Sequence, residues 1–247
     1  MKKGAHFAII WVKFVKKAMK IMYKYETHLH TAPVSACARA TIREQMEFYK
    51  SKGYDGIFVT NHFIDGNFCH EMRDKSYAER IEFFFSAYEE GKKLEEEIGI
   101  KVFYGLEAAG AGEFLVYGLD KQWFLDHPEI EGMQKSKQLQ LYMDNGALII
   151  NAHPFREASY IDHIQLFPRH VHGVEVVNAA QPSLANSMAK LYAEKYELLM
   201  FAGSDNHGGY QENIAGVECD EPVENELDFV AKAKAGKLRY FCENCNE

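Results

Sequence analysis

Cysteine is scarce and irregularly placed in this chain of 247 residues: five in all, an odd number, at positions 37, 69, 219, 242 and 245. That pattern excludes a disulfide framework as the source of stability and points to the reducing cytoplasm. Proline (6) and tryptophan (2) are also few, and no low-complexity tract or Pro/Gly-rich linker interrupts the sequence. Charged residues make up an ordinary 26%, so nothing suggests intrinsic disorder. Long apolar runs are missing too. Between Ala5 and Met22, the residues Phe7, Ile9, Ile10, Trp11, Val12, Phe14 and Val15 are interrupted by Lys13, Lys16 and Lys17. A spanning helix needs about 18 uninterrupted apolar residues, and no small-residue cleavage site comes after them. Stable membrane association is therefore not expected. Acid is absent from residues 1–21, which carry Lys2, Lys3, Lys13, Lys16, Lys17 and Lys20. Beyond them, 22 basic residues face 36 acidic ones. So acidic a body is a poor nucleic-acid binder, because phosphate backbones demand a basic surface. It suits a small substrate whose negative charge is met by cations inside a cleft.

Residues 1–21 are read as a basic, apolar extension preceding a natural start at Met22. The alternatives are an amphipathic helix on an anionic surface or an integral part of the fold. Residues 22–247 have the material for one large domain. The chain is 47% apolar and contains 17 Phe and 14 Tyr. Single barrels of about 200–250 residues are common.

Short apolar runs alternate with helical patterns. Strands are expected at Tyr23–Thr27, Gly56–Thr60, Lys101–Leu106, Glu113–Gly118, Ala147–Asn151, Gly173–Asn178, Leu198–Ala202 and Leu238–Phe241. Helices are expected at Thr41–Lys52, Ser76–Ile98, Gln134–Asn145, Ser183–Tyr196 and Glu224–Ala235. Thr41 with Glu44 forms a capping-box signature, and Gly99 is a stop signal. The alternation indicates one parallel-rich α/β domain. A closed or distorted barrel is favoured because metal-capable residues recur just after the strands, where a barrel rim would gather them.

His28-Leu29-His30 comes after the first strand, and the two-residue period of a strand puts both imidazoles on one face. His62 lies after the second strand, Glu107 after the third, and His153 after the run Ile150-Asn151-Ala152. Asp205 and His207 come after Phe201-Ala202-Gly203-Ser204. Any one of these reads equally well as a hydrogen-bonded rim histidine; the convergence of the set is what carries the signal. Imidazole and carboxylate donors suit zinc, manganese or iron, whereas calcium prefers oxygen alone. A carboxylate such as Glu107 can bridge two ions, and paired ions favour phosphoryl displacement.

The ordered set His28-Leu29-His30, Thr60-Asn61-His62, Gly105-Leu106-Glu107, His153-Pro154 and Ser204-Asp205-Asn206-His207 resembles the PHP (polymerase and histidinol phosphatase) family. The resemblance spans about Tyr23 to His207. It implies a distorted (β/α)7 TIM-like barrel holding two or three divalent metal ions (Zn, Mn or Fe), and commonly a phosphoesterase. Carried over, His28, His30, Glu107 and Asp205 would hold one ion, Glu107 and His153 a second, and His62 with His207 a third. The implied activity is cleavage of small phosphomonoesters by attack of a metal-activated water, with His153, Asp205 and Arg156 as catalytic residues. Hydrolysis of a cyclic phosphodiester or an amide on the same barrel, and a non-catalytic metal-binding regulatory module, are the alternatives.

Three positions depart from the family pattern. Asn61 stands where the family has Asp, which removes a supporting carboxylate but leaves His62. The aspartate usual shortly after the HxH is absent from Thr31–Cys37. Cys37 either replaces it as a thiolate ligand or is an inert thiol beside a weak third site. Glu113 stands where many members have a histidine, and either ligates through oxygen or faces solvent. Arg39 and Arg156 are candidate phosphate clamps, and Asn178 either lines the pocket or caps a turn. The loops 67–77, 122–135 and 157–169 are expected to set the substrate. Cys242-Glu243-Asn244-Cys245 lacks a partner pair and reads as incidental, and His70, His127, His163, His170 and His172 read as surface or loop residues.

Overall fold

A computed structural model describes residues 22–159 and 161–245; the N-terminal extension lies outside the described residues. The strands are β1 (Tyr23–Leu29), β2 (Gly56–Val59), β3 (Lys101–Tyr104), β4 (Leu106–Ala108), β5 (Phe114–Tyr117), β6 (Leu148–Asn151), β7 (Gly173–Asn178), β8 (Leu199–Gly203), β9 (Ile214–Cys219) and β10 (Arg239–Glu243). The helices are α1 (Ile42–Ser51), α2 (Tyr77–Ile98), α3 (Lys121–Asp126), α4 (Lys135–Asp144), α5 (Ser183–Tyr196) and α6 (Glu226–Lys234). Local sequence explains the helix ends. Thr41 and Ser76 each close a capping box, with Glu44 and Glu79 respectively, so each box satisfies two otherwise orphaned backbone donors. Gly99 ends α2 at φ 78°, a left-handed conformation that glycine adopts without a Cβ clash.

The strands form two five-stranded sheets, ordered β10-β9-β1-β2-β3 and β4-β5-β6-β7-β8. β1–β2–β3 and β6–β7–β8 are parallel, whereas β5 runs antiparallel to both β4 and β6, and β9 antiparallel to β1 and β10. The expected barrel thus emerges as a mixed α/β fold in two sheets. Isolated pairings stitch the sheets at two seams, Leu29 with Asn206 and His62 with Glu107. At the first seam, His30 N donates to Asn206 O (2.9 Å) and Asp205 N to His28 O (2.7 Å). At the second, Glu107 N donates to Asn61 O (3.0 Å) and Phe63 N to Glu107 O (2.9 Å). The expected metal-binding segments are therefore the ones that join the sheets.

One apolar cluster draws Tyr25, Phe58, Phe103, Leu115, Tyr117, Ile150 and Phe201 from both sheets. Phe229 of α6 packs onto Phe58, Tyr117 and Phe201. The Tyr117 hydroxyl donates to Thr27 O at 2.8 Å, tying β5 to β1 through this interior. A second cluster packs Ile42, Met46 and Tyr49 of α1 and Ile81, Phe84 and Phe85 of α2 with Ile57, Val59 and Val102. Apolar strands covered on both faces match the near-continuous hydrophobic runs of the sequence.

Two elements were not expected. β9 reads Ile-Ala-Gly-Val-Glu-Cys, a short run broken by a glycine and an acid, and α3 is only 6 residues long. The CxxC sequence is a further correction. Cys242 and Cys245 pair as a disulfide, their Cα atoms 5.9 Å apart. The reason is local: Asn244 sits at φ 61°, and this left-handed turn folds the end of β10 back on itself. Among the described residues, no helix is long and apolar enough to cross a membrane.

Candidate metal centre

Both seams deliver imidazoles and carboxylates to one place. Glu107, at 1% exposure, is the hub. Its Oε1 lies 3.3 Å from His28 Nε2 and 3.1 Å from His153 Nε2, and its Oε2 lies 2.7 Å from His62 Nδ1 and 3.5 Å from His30 Nε2. Asp205 faces it across the imidazoles, with Oδ1 3.5 Å from His28 Nε2, 3.3 Å from His30 Nε2 and 3.5 Å from His207 Nδ1. The ring of His30 stacks on that of His207 at 4.1 Å.

Four groups of three donors have ligand atoms within 4.8 Å of one another. They are His28/His30/Asp205, His28/Glu107/His153, His62/Glu107/Glu113 and His30/His62/His207. Glu113 therefore belongs to the cluster and does not simply face solvent. Its Oε2 lies 3.5 Å from His153 Nδ1 and 3.3 Å from Arg156 Nη1.

The electrostatics are those of a site short of positive charge. Burial works against the Glu107 carboxylate, yet the His62 and His28 imidazoles hold its pKa well below the usual range. Burial likewise opposes Asp205, which His28 and His30 hold low. Burial alone would lower the His28 pKa, but Glu175, Asp205 and Glu107 raise it well above the ordinary value. Glu107 similarly overcomes burial to lift His62 to about 10 and, with Glu113, His153 to about 9. His30, crowded by His62 and His207 as well as buried, is pushed well below. Burial and the neighbouring Glu107 raise Glu113.

The residues fit divalent cations. His62 Nδ1 and Glu107 Oε2 are buried and 2.7 Å apart, yet neither forms a hydrogen bond. While His62 is protonated they meet as an ion pair; with the ring neutral, two buried lone pairs face each other at a cost unless a further group satisfies them. A shared cation would do so, and the nitrogen-plus-carboxylate donor set suits zinc, manganese or iron.

Supporting contacts fix the donors. Glu175, fully buried, accepts from the His153 backbone (2.9 Å) and from Asn178 Nδ2 (2.9 Å), and meets His28 Nδ1 at 2.8 Å. Asn61, in place of the family's aspartate, accepts from Thr31 N (2.6 Å) and Ser35 Oγ (2.9 Å). Ser35 Oγ in turn lies 3.1 Å from His30 Nδ1. Asn178 caps the turn, accepting from Ala180 N at 3.0 Å, and its amide reaches Asp205 Oδ2 at 3.3 Å, but it is fully buried and does not line the cavity that opens onto the centre. His153 and Asp205 hold positive φ angles of 22° and 53°. Such backbone costs about 1–3 kcal/mol at a non-glycine residue and tends to gather at functional sites.

A cavity of about 420 Å³ opens onto the centre, lined by Cys37, His62, Asn67, Glu107, Glu113, His153, Arg156, Asp205 and His207. Arg156 also borders an adjoining cavity with residues 109–113 and 161–165. Arg39 is exposed and does not line either one; its backbone N–H donates to His207 O at 2.7 Å. Burial pushes the Cys37 thiol up, but hydrogen bonding to His207 and His62 brings it down to about 6. Glu175 and Glu26 escaped the sequence reading. Glu175 is an acid inside the otherwise apolar run of β7, the signal that could have found it, whereas Glu26 sits among the mixed residues of β1 and stands out less. Glu26 accepts from His28 N at 2.7 Å and from Ser204 N at 3.0 Å. None of His70, His127, His163, His170 and His172 joins these donor groups.

No family model matches the chain, and no curated protein does. Solved structures do. A two-domain protein of Bacteroides vulgatus, containing a predicted PHP-like metal-dependent phosphoesterase, superposes with a TM-score of 0.67 at 17% identity. The match covers 89% of this chain but 64% of that one. The chain has a PHP-like fold. PsfC of Pseudomonas syringae matches with a TM-score of 0.61 at 16% identity, over 89% of this chain and 91% of its own. A proposed metal-dependent phosphoesterase of Bifidobacterium adolescentis matches at 0.54 and 13% identity, over 86% and 96%. At such identities the likeness establishes the PHP-like fold alone.

Proposed function

We propose that the protein is a metal-dependent hydrolase that cleaves small phosphate esters, most simply phosphomonoesters, using two or three divalent ions. The observation that carries this reading is Glu107, whose two oxygens lie within 3.5 Å of four imidazoles. His28, His30 and Asp205 would hold one ion, Glu107 with His153 and Glu113 a second, and His62 with His207 a third. Bound ions supply Lewis-acid stabilisation of phosphoryl oxygens and lower the pKa of water. The two sheets, bridged at both seams, would together form the wall of the distorted barrel, with β3 and β4 counting as a single strand broken at Gly105.

The chain's own residues supply the rest. Arg156 stands at the cavity with a side chain 30% exposed, placed to donate to a phosphate. It is held by Glu113, so a substrate phosphate would compete for that guanidinium. Asp205 and His153 line the same space, and as donors to the ions they would orient the centre toward the bound substrate. The acidic body and the small cavity support a small phosphorylated substrate over a nucleic acid. The test is phosphate release from a chromogenic phosphomonoester by metal-free protein resupplied with Mn²⁺ or Zn²⁺. Turnover that depends on metal and is lost in His153→Ala is expected. No turnover with any divalent ion overturns the reading, and turnover of diesters or amides alone replaces the substrate class.

A further inference from the structure

Beside the donor cluster the fold leaves a second space. A cavity of about 290 Å³ adjoins the one over the centre, and the two share Glu113, His153 and Arg156 as a common wall. Its volume lies near the lower end of small-molecule pockets, enough for one compact organic group. Residues 109–112, all alanine or glycine, line it together with Ile161 and Ile164.

Asn151 also lines this cavity, although its side chain is only 1% exposed. It closes β6, which otherwise reads Leu-Ile-Ile, so a carboxamide there is not what strand packing asks for. Asn151 Nδ2 donates to Glu113 O at 3.2 Å, which fixes the orientation of the group. Oδ1 is then turned away from that carbonyl, and it is buried without a hydrogen-bond partner. An orphaned buried acceptor is costly, and in a cavity wall a bound donor can satisfy it.

The charged groups of the lining narrow the choice of donor. Glu113 and Asp162 are acids, and the permanent cation, Arg156, stands at the wall shared with the metal centre. A second phosphate or a carboxylate on the substrate would face two acids here. An ammonium would have to shed its water beside a neutral, buried carboxamide, which costs more than burying a hydroxyl. A hydroxyl donates to Oδ1 and keeps its lone pairs for a neighbour or for water.

We propose that this cavity is the subsite for the organic part of the substrate, and that Asn151 selects a neutral, polyhydroxylated alcohol there. The substrate class is then the phosphomonoesters of polyols and sugars. This rests on the reading of the centre as a phosphomonoesterase. A phosphate taken by Arg156 at the shared wall leaves its alcohol the adjoining space, with hydroxyls toward Asn151 and carbon toward the two isoleucines.

The experiment measures kcat/KM of the full-length, metal-loaded protein for a pentitol phosphate and for pentyl phosphate, which differ only in the hydroxyls of the alcohol. Wild type favours the pentitol ester by about 10-fold or more, because the pentyl chain leaves Oδ1 unpaired. Asn151→Leu keeps the volume and removes the acceptor, and in it that preference collapses toward equal use of the two esters. A merely structural role for Asn151, acting through Glu113, would lower both esters alike and leave their ratio as in wild type; that result overturns the proposal. Equal use of both esters by wild type overturns it without any variant, as does a preference for an aminoalkyl phosphate over the pentitol ester. If no phosphomonoester turns over, the reading of the centre fails and this one with it. Turnover of both esters without discrimination removes the polyol selection alone.

Discussion

His28 and Glu175 are both fully buried, and Nδ1 of the one lies 2.8 Å from Oε1 of the other. The carboxylate fixes the ring so that Nε2 faces Glu107 and Asp205. Partners of this kind set tautomer and orientation, and losing one typically costs about 10–100-fold in metal affinity. Glu175→Gln keeps the shape and removes the charge. Its zinc affinity, measured by chelator competition, falls by about that factor while the fold persists by circular dichroism. Unchanged affinity would show that Glu175 does not hold His28 for a metal.

Protons and metal ions compete for the same nitrogens. In the metal-free protein His62 titrates at about 10 and His153 at about 9, because Glu107 outweighs their burial. Unfolded histidine titrates near 6.5. A raised folded value stabilises fully below about pH 6.5, and that contribution is lost as pH rises through 9 to 10. The lowered carboxylates Glu107 and Asp205 act in the opposite sense, losing their contribution only as pH falls below the ordinary carboxylate range. The melting temperature of metal-free protein therefore declines from pH 7 to pH 10. Metal affinity rises over the same window, and calorimetry in buffers of different ionisation enthalpy detects proton release on binding. A metal affinity independent of pH there would contradict this assignment.

Gly203 ends β8 where that strand meets the HxH segment. A Cβ at this position would lie 2.4 Å from His28 Cβ and 2.8 Å from Glu175 Oε1. Both neighbours are fixed in the buried cluster, so Gly203→Ala must push His28 aside. Overpacking of this kind costs about 1–3 kcal/mol. Thermal melts give the stability loss, and metal titration shows weakened binding. Wild-type values for both would mean that the seam is looser than described.

Arg156 serves as phosphate clamp in the proposed reaction. Removing a preorganised donor of this type commonly lowers turnover by about 100-fold or more. Arg156→Ala therefore loses phosphomonoester turnover while keeping its metal, and Arg156→Lys recovers only part, since an ammonium cannot make the bidentate contact. Elemental analysis alongside steady-state kinetics separates the two effects. Loss of metal in Arg156→Ala would instead make it a support for Glu113.

Much of the centre was legible because its donors come in or just after strands, in order. The alternation of β1 placed His28 and His30 together, and the apolar runs before His62, Glu107, His153 and Asp205 marked the ends of parallel or near-parallel strands. The helix α5 was readable to the residue as Ser183–Tyr196, beginning just after Pro182. Contacts between residues far apart in sequence were not legible. Glu175 looks like a misplaced charge until β7 is laid beside β6, and the antiparallel β5 cannot be told from a parallel strand by composition. Arg39 illustrates the converse: its place in the loop suggested a clamp, but the pairing of that loop with His207 uses its backbone and leaves the side chain outside the cavity.

Metal stoichiometry of purified protein against Glu107→Ala tests the central claim most directly. After removal of ions, incubation with Zn²⁺ or Mn²⁺ and desalting, elemental analysis of wild type should give at least two ions per chain. Glu107→Ala should retain fewer, because the deleted carboxylate reaches His28, His30, His62 and His153 at once. A wild-type protein that keeps no divalent ion, or a variant that binds as many as wild type, would contradict a multinuclear centre built on Glu107.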